Sequence, residues 1–206
     1  MSQSAIAEMP YGLRMSLDEW ASMPEDEPGE LMDGRLVEEE VADVPHELVV
    51  SRVFRRIGSW IDLKNGILLG SEAKFAVSAR WGRKPDISAF FTKGQELPRK
   101  GAVTTLPDLM VEVVSPTPQD GRRDRVEKLY EYAAFGVRWY WIVDPRLRTL
   151  EILKLGDDRH YAHVLSASDG AIEMPGCEGL TIDLDELWRE IDEILAEGPE
   201  DSERQT

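Results

Sequence analysis

Asp108-Leu109-Met110-Val111-Glu112-Val113-Val114-Ser115-Pro116 is the stretch on which the fold reading turns. Leu109 to Val114 is an apolar run broken only by Glu112, the pattern of a central strand covered on both faces. Alternation puts Met110, Glu112 and Val114 on one face, with Val111 and Val113 on the other. A carboxylate inside such a run is costly unless it is protonated, hydrogen-bonded or metal-bound. Upstream, Arg83-Lys84-Pro85-Asp86-Ile87-Ser88 sets a second carboxylate at the start of a strand running from Ile87 to Phe91. If these strands are neighbours, Asp86 and Glu112 can share one cation. Hard oxygen donors suit Mg²⁺, with Mn²⁺ as the alternative, and the three histidines His46, His160 and His163 show no zinc spacing. A phosphodiester held against such a cation also needs a positive group. Lys128 lies in the helix directly after the Glu112 strand. It is either that group or a solvent lysine paired with Asp124 or Glu131.

Nearer the N-terminus, Ser16-Leu17-Asp18-Glu19 has the form of a capping box opening a short helix. Asp33-Gly34 supplies the turn of a hairpin between Glu30 and Glu38. Pro45 opens a helix to about Ile61, with Val49, Val50, Val53, Phe54, Ile57 and Trp60 at helical spacing. Strands are expected at Ile67–Leu69 and Ala73–Val77, followed after Phe91 by an exposed loop from Gly94 to Leu106. A helix from about Arg123 to Phe135 presents Val126, Leu129, Tyr130, Ala133 and Ala134 as its apolar stripe and stops at Gly136. Tyr130 reads as a core residue of that helix. Strands then follow at Val137–Val143, Thr149–Leu155 and Tyr161–Leu165, and a terminal helix at Ile182–Leu195. The order favours a compact α/β domain with a mixed sheet.

A chain of 206 residues fits one domain. The expected division is a flexible leader at 1–15, a single domain at 16–196 including the terminal helix, and an acidic flexible tail at 197–206. No stretch approaches the length of a membrane span, and the one cysteine, Cys177, excludes an intrachain disulfide. These features favour the cytoplasm. The net charge of −16 first looks hostile to nucleic acid. Its distribution weakens that objection: residues 18–43 hold 11 acids and one base, residues 183–206 hold 10 acids and two bases, and residues 44–182 hold 20 bases against 18 acids.

The run Asp33-Gly34-Arg35-Leu36-Val37-Glu38, then His46, Pro85-Asp86, Glu112-Val113-Val114-Ser115-Pro116, Lys128 and Tyr130 resembles the Uma-type family of restriction-endonuclease-like proteins, within the PD-(D/E)XK nuclease superfamily. Gly136-Val137-Arg138-Trp139-Tyr140-Trp141-Ile142-Val143-Asp144-Pro145 extends the likeness, which covers roughly residues 16–155. No single element is specific; the order and spacing are. The resemblance implies a restriction-endonuclease-like core, a mixed central sheet flanked by helices. It implies Asp86 and Glu112 as ligands of Mg²⁺ or Mn²⁺. The superfamily lysine two residues after the glutamate is replaced here by Val114, and Lys128 takes its place from the following helix. Glu38 would be a further acid near the metal, and His46 an auxiliary residue facing the cleft.

Arg122, Arg123 and Arg125, with Arg83 and Lys84 beside Asp86, are the cations placed to meet a DNA phosphate. The reading is a metal-dependent DNA endonuclease. The alternatives are a non-cleaving nucleic-acid-binding or regulatory module on the same fold, and a homodimeric interaction domain using Trp60, Trp81 or Trp139. No membrane and no specific protein partner is implied.

Overall fold

The computed structural model describes residues 12–24, 29–37, 42–116 and 122–196. Among the described residues, four α-helices, a central six-stranded sheet, a smaller four-stranded sheet and a two-stranded ribbon carry the architecture. In chain order the elements are α1 (Leu17–Ser22), β1 (Glu30–Met32), β2 (Arg35–Val37), α2 (Val44–Asp62), β3 (Ile67–Gly70), β4 (Phe75–Ser78), β5 (Trp81–Arg83), β6 (Ile87–Phe90) and β7 (Leu109–Val113). A π-helical turn, Arg123–Glu127, leads into α3 (Lys128–Phe135). β8 (Trp139–Asp144), β9 (Thr149–Leu155), β10 (Tyr161–Ala167), β11 (Ala171–Glu173), β12 (Thr181–Asp183) and α4 (Leu184–Ala196) follow.

The central sheet runs β10-β9-β8-β7-β6-β3. Among the described strands of this sheet only β7 and β8 are parallel, and a parallel pair needs a crossover, here the π-helical turn and α3. The mixed sheet expected from the sequence is therefore observed. Alternation sorts its side chains as read: Leu109, Val111 and Val113 pack with Val49, Val53 and Ile57 of α2 and Leu187 and Trp188 of α4. Met110 and Val114 pack on the opposite face with Tyr132 of α3, Tyr140 and Phe75.

The second sheet, β2-β1-β5-β4, is antiparallel at each pairing. Asp33 and Gly34 both take positive φ, 49° and 71°, which is the geometry of a two-residue hairpin turn. The Ser16 capping box forms with Glu19. It starts α1 at the angle that buries Trp20 with Met23, Leu31 and Leu36. Gly82 is obligatory there, since a Cβ would lie 2.3 Å from the Trp20 ring. The buried Lys74 closes α1, its Nζ donating to the carbonyls of Met23 (2.7 Å), Pro24 (3.3 Å) and Trp20 (3.4 Å), as a cation should at a helix C-terminus.

Three local readings change. The terminal helix starts at Leu184 rather than Ile182, because Thr181–Asp183 pairs with β11. Trp81–Arg83 forms a strand too short to show a period. Tyr130 is not a core residue: it is 65 % exposed, and Tyr132 is the buried tyrosine of α3. Of the expected leader, residues 12–15 hydrogen-bond to β2 and its turn; the expected tail lies outside the described residues. Among the described residues no helix is long and apolar enough to cross a membrane.

Candidate active site

Antiparallel pairing of Ile87 with Val111 brings Asp86, one residue before β6, alongside the end of β7. Its Oδ2 accepts the Val113 N–H at 2.7 Å. α2 begins with Asp43 as its N-cap and Pro45 in the first turn. That entry buries His46, whose Nε2 lies 3.4 Å from the same Asp86 oxygen. Glu112 emerges on the α3 side of β7. There its Oε2 meets Lys128 Nζ at 2.8 Å, and its Oε1 accepts the Tyr132 hydroxyl at 2.6 Å.

Lys128 sits among three carboxylates, at 2.8 Å from Glu112, 3.4 Å from Asp124 and 3.9 Å from Glu30. Its solvent-lysine reading is excluded, since only 9 % of the side chain is exposed. The Asp124 half of the expected helical pair does form. The Glu131 half does not, because Glu131 binds Arg83 by two bonds of 2.6 and 2.7 Å. A cleft of about 190 Å³ opens over this group, lined by Asp86, Glu112, Lys128, Asp124, Glu30 and His46, with Lys84 and Arg123 in its wall.

Burial and excess negative charge set the electrostatics. Burial raises Glu112 well above the usual carboxylate range; Lys128 opposes the rise, while Asp86, Asp124 and Glu30 add to it. Asp124 is raised to about 6 by burial, again against the pull of Lys128. Glu30 behaves oppositely. Burial alone would raise it, but Lys128, Arg83 and the Lys84 N–H bring it down to about 2. Burial would lower Lys128, yet Glu112, Glu30 and Asp124 hold it above the ordinary lysine value, so it stays protonated. Tyr132 is pushed well above the phenol range by burial and then by Glu112, and remains a hydrogen-bond donor.

These directions fix a pH dependence. Glu30, depressed in the fold, contributes stability above its unfolded value near 4.5, lost as pH falls through about 2. Asp124 and Glu112, both raised, contribute stability at low pH that is lost as pH rises, for Asp124 through about 6. Metal-free protein is therefore expected to melt higher near pH ~5 than near pH ~7, by on the order of 1 kcal/mol. Asp124→Asn should shrink that difference in paired thermal melts. An unchanged difference would rule out Asp124 as its source.

Whether the site suits a divalent cation depends on its donors. Glu30, Glu112 and Asp124 face Lys128, and Asp86 lines the same cleft; burial is the first cause of the upward shifts at Glu112 and Asp124, and the neighbouring carboxylates add to it. Among the described residues no group of three or more His, Cys, Asp or Glu side chains is arranged to enclose a metal. Asp86 and Glu112 bring hard carboxylate oxygens to one cleft, and in donor type they fit Mg²⁺, which keeps most of its waters and asks for one or two carboxylates.

The other expected site residues divide. Lys84 and Arg123 line the cleft. Arg83 does not meet solvent at all, and its role as a phosphate contact is corrected. It is fully buried, donating to Glu30 at 2.5 Å and twice to Glu131. It ties β5, β1 and α3 together behind the site. Arg125 turns toward Glu151 (2.9 Å) and Asp144 (3.1 Å). Arg122 is exposed, 3.9 Å from Glu127. Glu38 lies outside the described residues.

Sequence reasoning missed Glu30, Asp124 and Tyr132 as site residues. Asp124, Lys128 and Tyr132 recur every four residues, a spacing that could have joined them. The π-helical turn lies where these side chains enter the site, a common place for such widened turns. Glu30 carries no local signal, since the hairpin delivers it from far along the chain.

A family model described as "Putative restriction endonuclease" (Uma2) matches residues 16–185. No curated protein matches the chain. Among solved structures, a protein from Anabaena variabilis described as a putative nuclease belonging to DUF820 superposes with a TM-score of 0.67. It is 18 % identical, and the superposition covers 86 % of this chain and 99 % of that one. At that identity the likeness speaks for the fold.

Proposed function

The chain belongs to the Uma2 family, whose match spans most of its length, and from that premise we propose that it is a metal-dependent DNA endonuclease hydrolysing phosphodiester bonds, with Mg²⁺, or Mn²⁺ in its place, held by Asp86 and Glu112. The observation that carries the reading is Lys128 Nζ reaching Glu112 at 2.8 Å from α3, in the cleft that Asp86 also lines. A divalent cation bound there would polarise a phosphoryl oxygen and lower the pKa of a bound water.

The chain's own residues supply the rest. Lys128, kept protonated by its carboxylate neighbours, faces the position where negative charge develops on the phosphoryl group. Tyr132 fixes the Glu112 carboxylate by its hydroxyl, and the Val113 N–H with His46 fixes Asp86. Arg123 and Lys84 in the wall position the phosphate backbone without reading sequence. The proposed setting is cytoplasmic, and a homodimer would present two such clefts to a duplex.

Metal removal is the test. Purified protein with Mg²⁺ or Mn²⁺ should nick or linearise supercoiled plasmid, and an excess of chelator should stop it completely. Cleavage that persists in chelator contradicts the reading. Binding without any turnover in either metal would favour a non-cleaving nucleic-acid-binding module, the alternative motivated by Val114 in the usual lysine position.

A further inference from the structure

Ser115 follows β7, three residues beyond Glu112, and lines the same cleft as Asp86, Glu112 and Lys128. Its backbone is fixed from both sides. The Val114 N–H continues the β7–β8 ladder by donating to the Val143 carbonyl at 2.8 Å. On the other side, the Pro116 carbonyl accepts from Arg146 in the turn after β8. Pro116 also confines Ser115 to extended backbone, because its ring crowds the preceding residue out of the helical region. Extended backbone carries strand alternation past the end of β7, so Ser115 shares a side with Val113. Both line the cleft, whereas Val114 and Pro116 do not.

The hydroxyl so placed is half-buried and unpaired: among the described residues no side chain or backbone group bonds it. Other donors of the cleft are engaged. Lys128 is held by Glu112, Asp124 and Glu30, Lys84 reaches Glu72 at 3.3 Å, and Arg123 has a partner as well. The Val113 N–H is taken by Asp86. Ser71, the other hydroxyl of the lining, is exposed in the turn after β3. The non-bridging oxygens of a phosphodiester accept hydrogen bonds and never donate, and ionised carboxylates cannot donate to them. A serine hydroxyl meets such an oxygen without competing with a cation for the carboxylates.

We propose that Ser115 is a substrate-contact residue of this cleft, its hydroxyl donating to a non-bridging oxygen of the DNA phosphodiester that is hydrolysed there. The inference rests on the nuclease reading of the cleft. It gives Arg146 a positioning role, since Arg146 holds the carbonyl next to Ser115.

The test compares wild type, Ser115→Ala and Ser115→Thr on unmodified DNA and on the same DNA built with one phosphorothioate diastereomer at every linkage, Rp in one preparation and Sp in the other. Single-turnover cleavage in Mg²⁺ is read beside thermal melts and a calorimetric Mg²⁺ titration. Ser115→Ala should cleave unmodified DNA about 10- to 100-fold more slowly, the loss expected for one hydrogen bond to a charged group. Its melting temperature and Mg²⁺ binding should match wild type. Ser115→Thr keeps the hydroxyl and should restore most of the rate. Sulfur is a weak acceptor, so one diastereomer should slow wild type more than it slows Ser115→Ala, and such coupling marks a direct contact. Wild-type cleavage by Ser115→Ala, impaired Mg²⁺ binding by it, or equal sulfur effects in both proteins would overturn the contact and leave the nuclease reading standing. If wild type cleaves no DNA, the nuclease reading fails and takes this role of Ser115 with it.

Discussion

Lys128→Met is expected to lower the single-turnover cleavage rate by about 10²- to 10³-fold, the usual cost of losing one group that stabilises transition-state charge. The same change should destabilise the fold. Lys128 is the common partner of Glu112, Asp124 and Glu30 in a site where none of these side chains is more than 9 % exposed. Removing one member of a buried ionic group typically costs about 3–5 kcal/mol, because the others are left unpaired. The cost at neutral pH should be partly relieved near pH ~5, where Asp124 and Glu112 accept protons instead. Lys128→Arg keeps the charge and should retain more stability than Lys128→Met. Urea melts give the stability change, and cleavage is compared at a temperature where circular dichroism shows both proteins folded. Wild-type cleavage by Lys128→Met would remove Lys128 from the mechanism.

Asp86→Ala should have the larger effect on chemistry and the smaller one on stability. Asp86 is the more solvent-accessible of the two carboxylates, its side chain 15 % exposed against 4 % for Glu112. Among the described residues it holds the Val113 N–H and contacts His46. Asp86→Asn preserves an oxygen that can accept the Val113 N–H while removing the charge a cation needs. Loss of a metal ligand forfeits several kcal/mol of transition-state stabilisation. Cleavage should therefore fall at least about 10³-fold in both variants, with melting temperatures close to wild type. Activity retained in Asp86→Asn at folded concentrations would place the metal elsewhere.

Local signals in the chain accounted for the elements that are local. The Asp33-Gly34 hairpin, the Ser16–Glu19 capping box, the apolar stripe of α2 and the doubly covered β7 each rest on contacts or periods within a few residues. The neighbourhood of Asp86 and Glu112 was legible for the same reason, since one precedes and the other lies on a short apolar strand, and those strands, β6 and β7, are neighbours. What could not be read were contacts across the sheet. Arg83 looks like a surface cation beside Asp86, yet β1 and α3 close over it with Glu30 and Glu131. Tyr130 and Tyr132 are equally apolar as letters, and the structure exposes the first and buries the second. Glu30 reaches the site only because Lys84 N–H and Arg83 hold its carboxylate there (3.0 and 2.5 Å), contacts spanning more than fifty residues.

The overall charge is a poorer guide than its placement. A chain of net charge −16 would repel DNA if that charge were spread evenly. Two acidic stretches carry the excess, and the cleft keeps Lys128, Lys84 and Arg123 on its own surface. The acids of the cleft would serve a different purpose, since a divalent cation held there would offset their charge.

The most direct measurement is a calorimetric Mg²⁺ titration of metal-stripped wild type, Asp86→Asn and Glu112→Gln, each verified as folded by circular dichroism. Wild type should bind saturably, with binding lost or strongly weakened in both variants. Equal binding by all three proteins, or no binding by wild type, would contradict the assignment of Asp86 and Glu112 as the metal-holding pair.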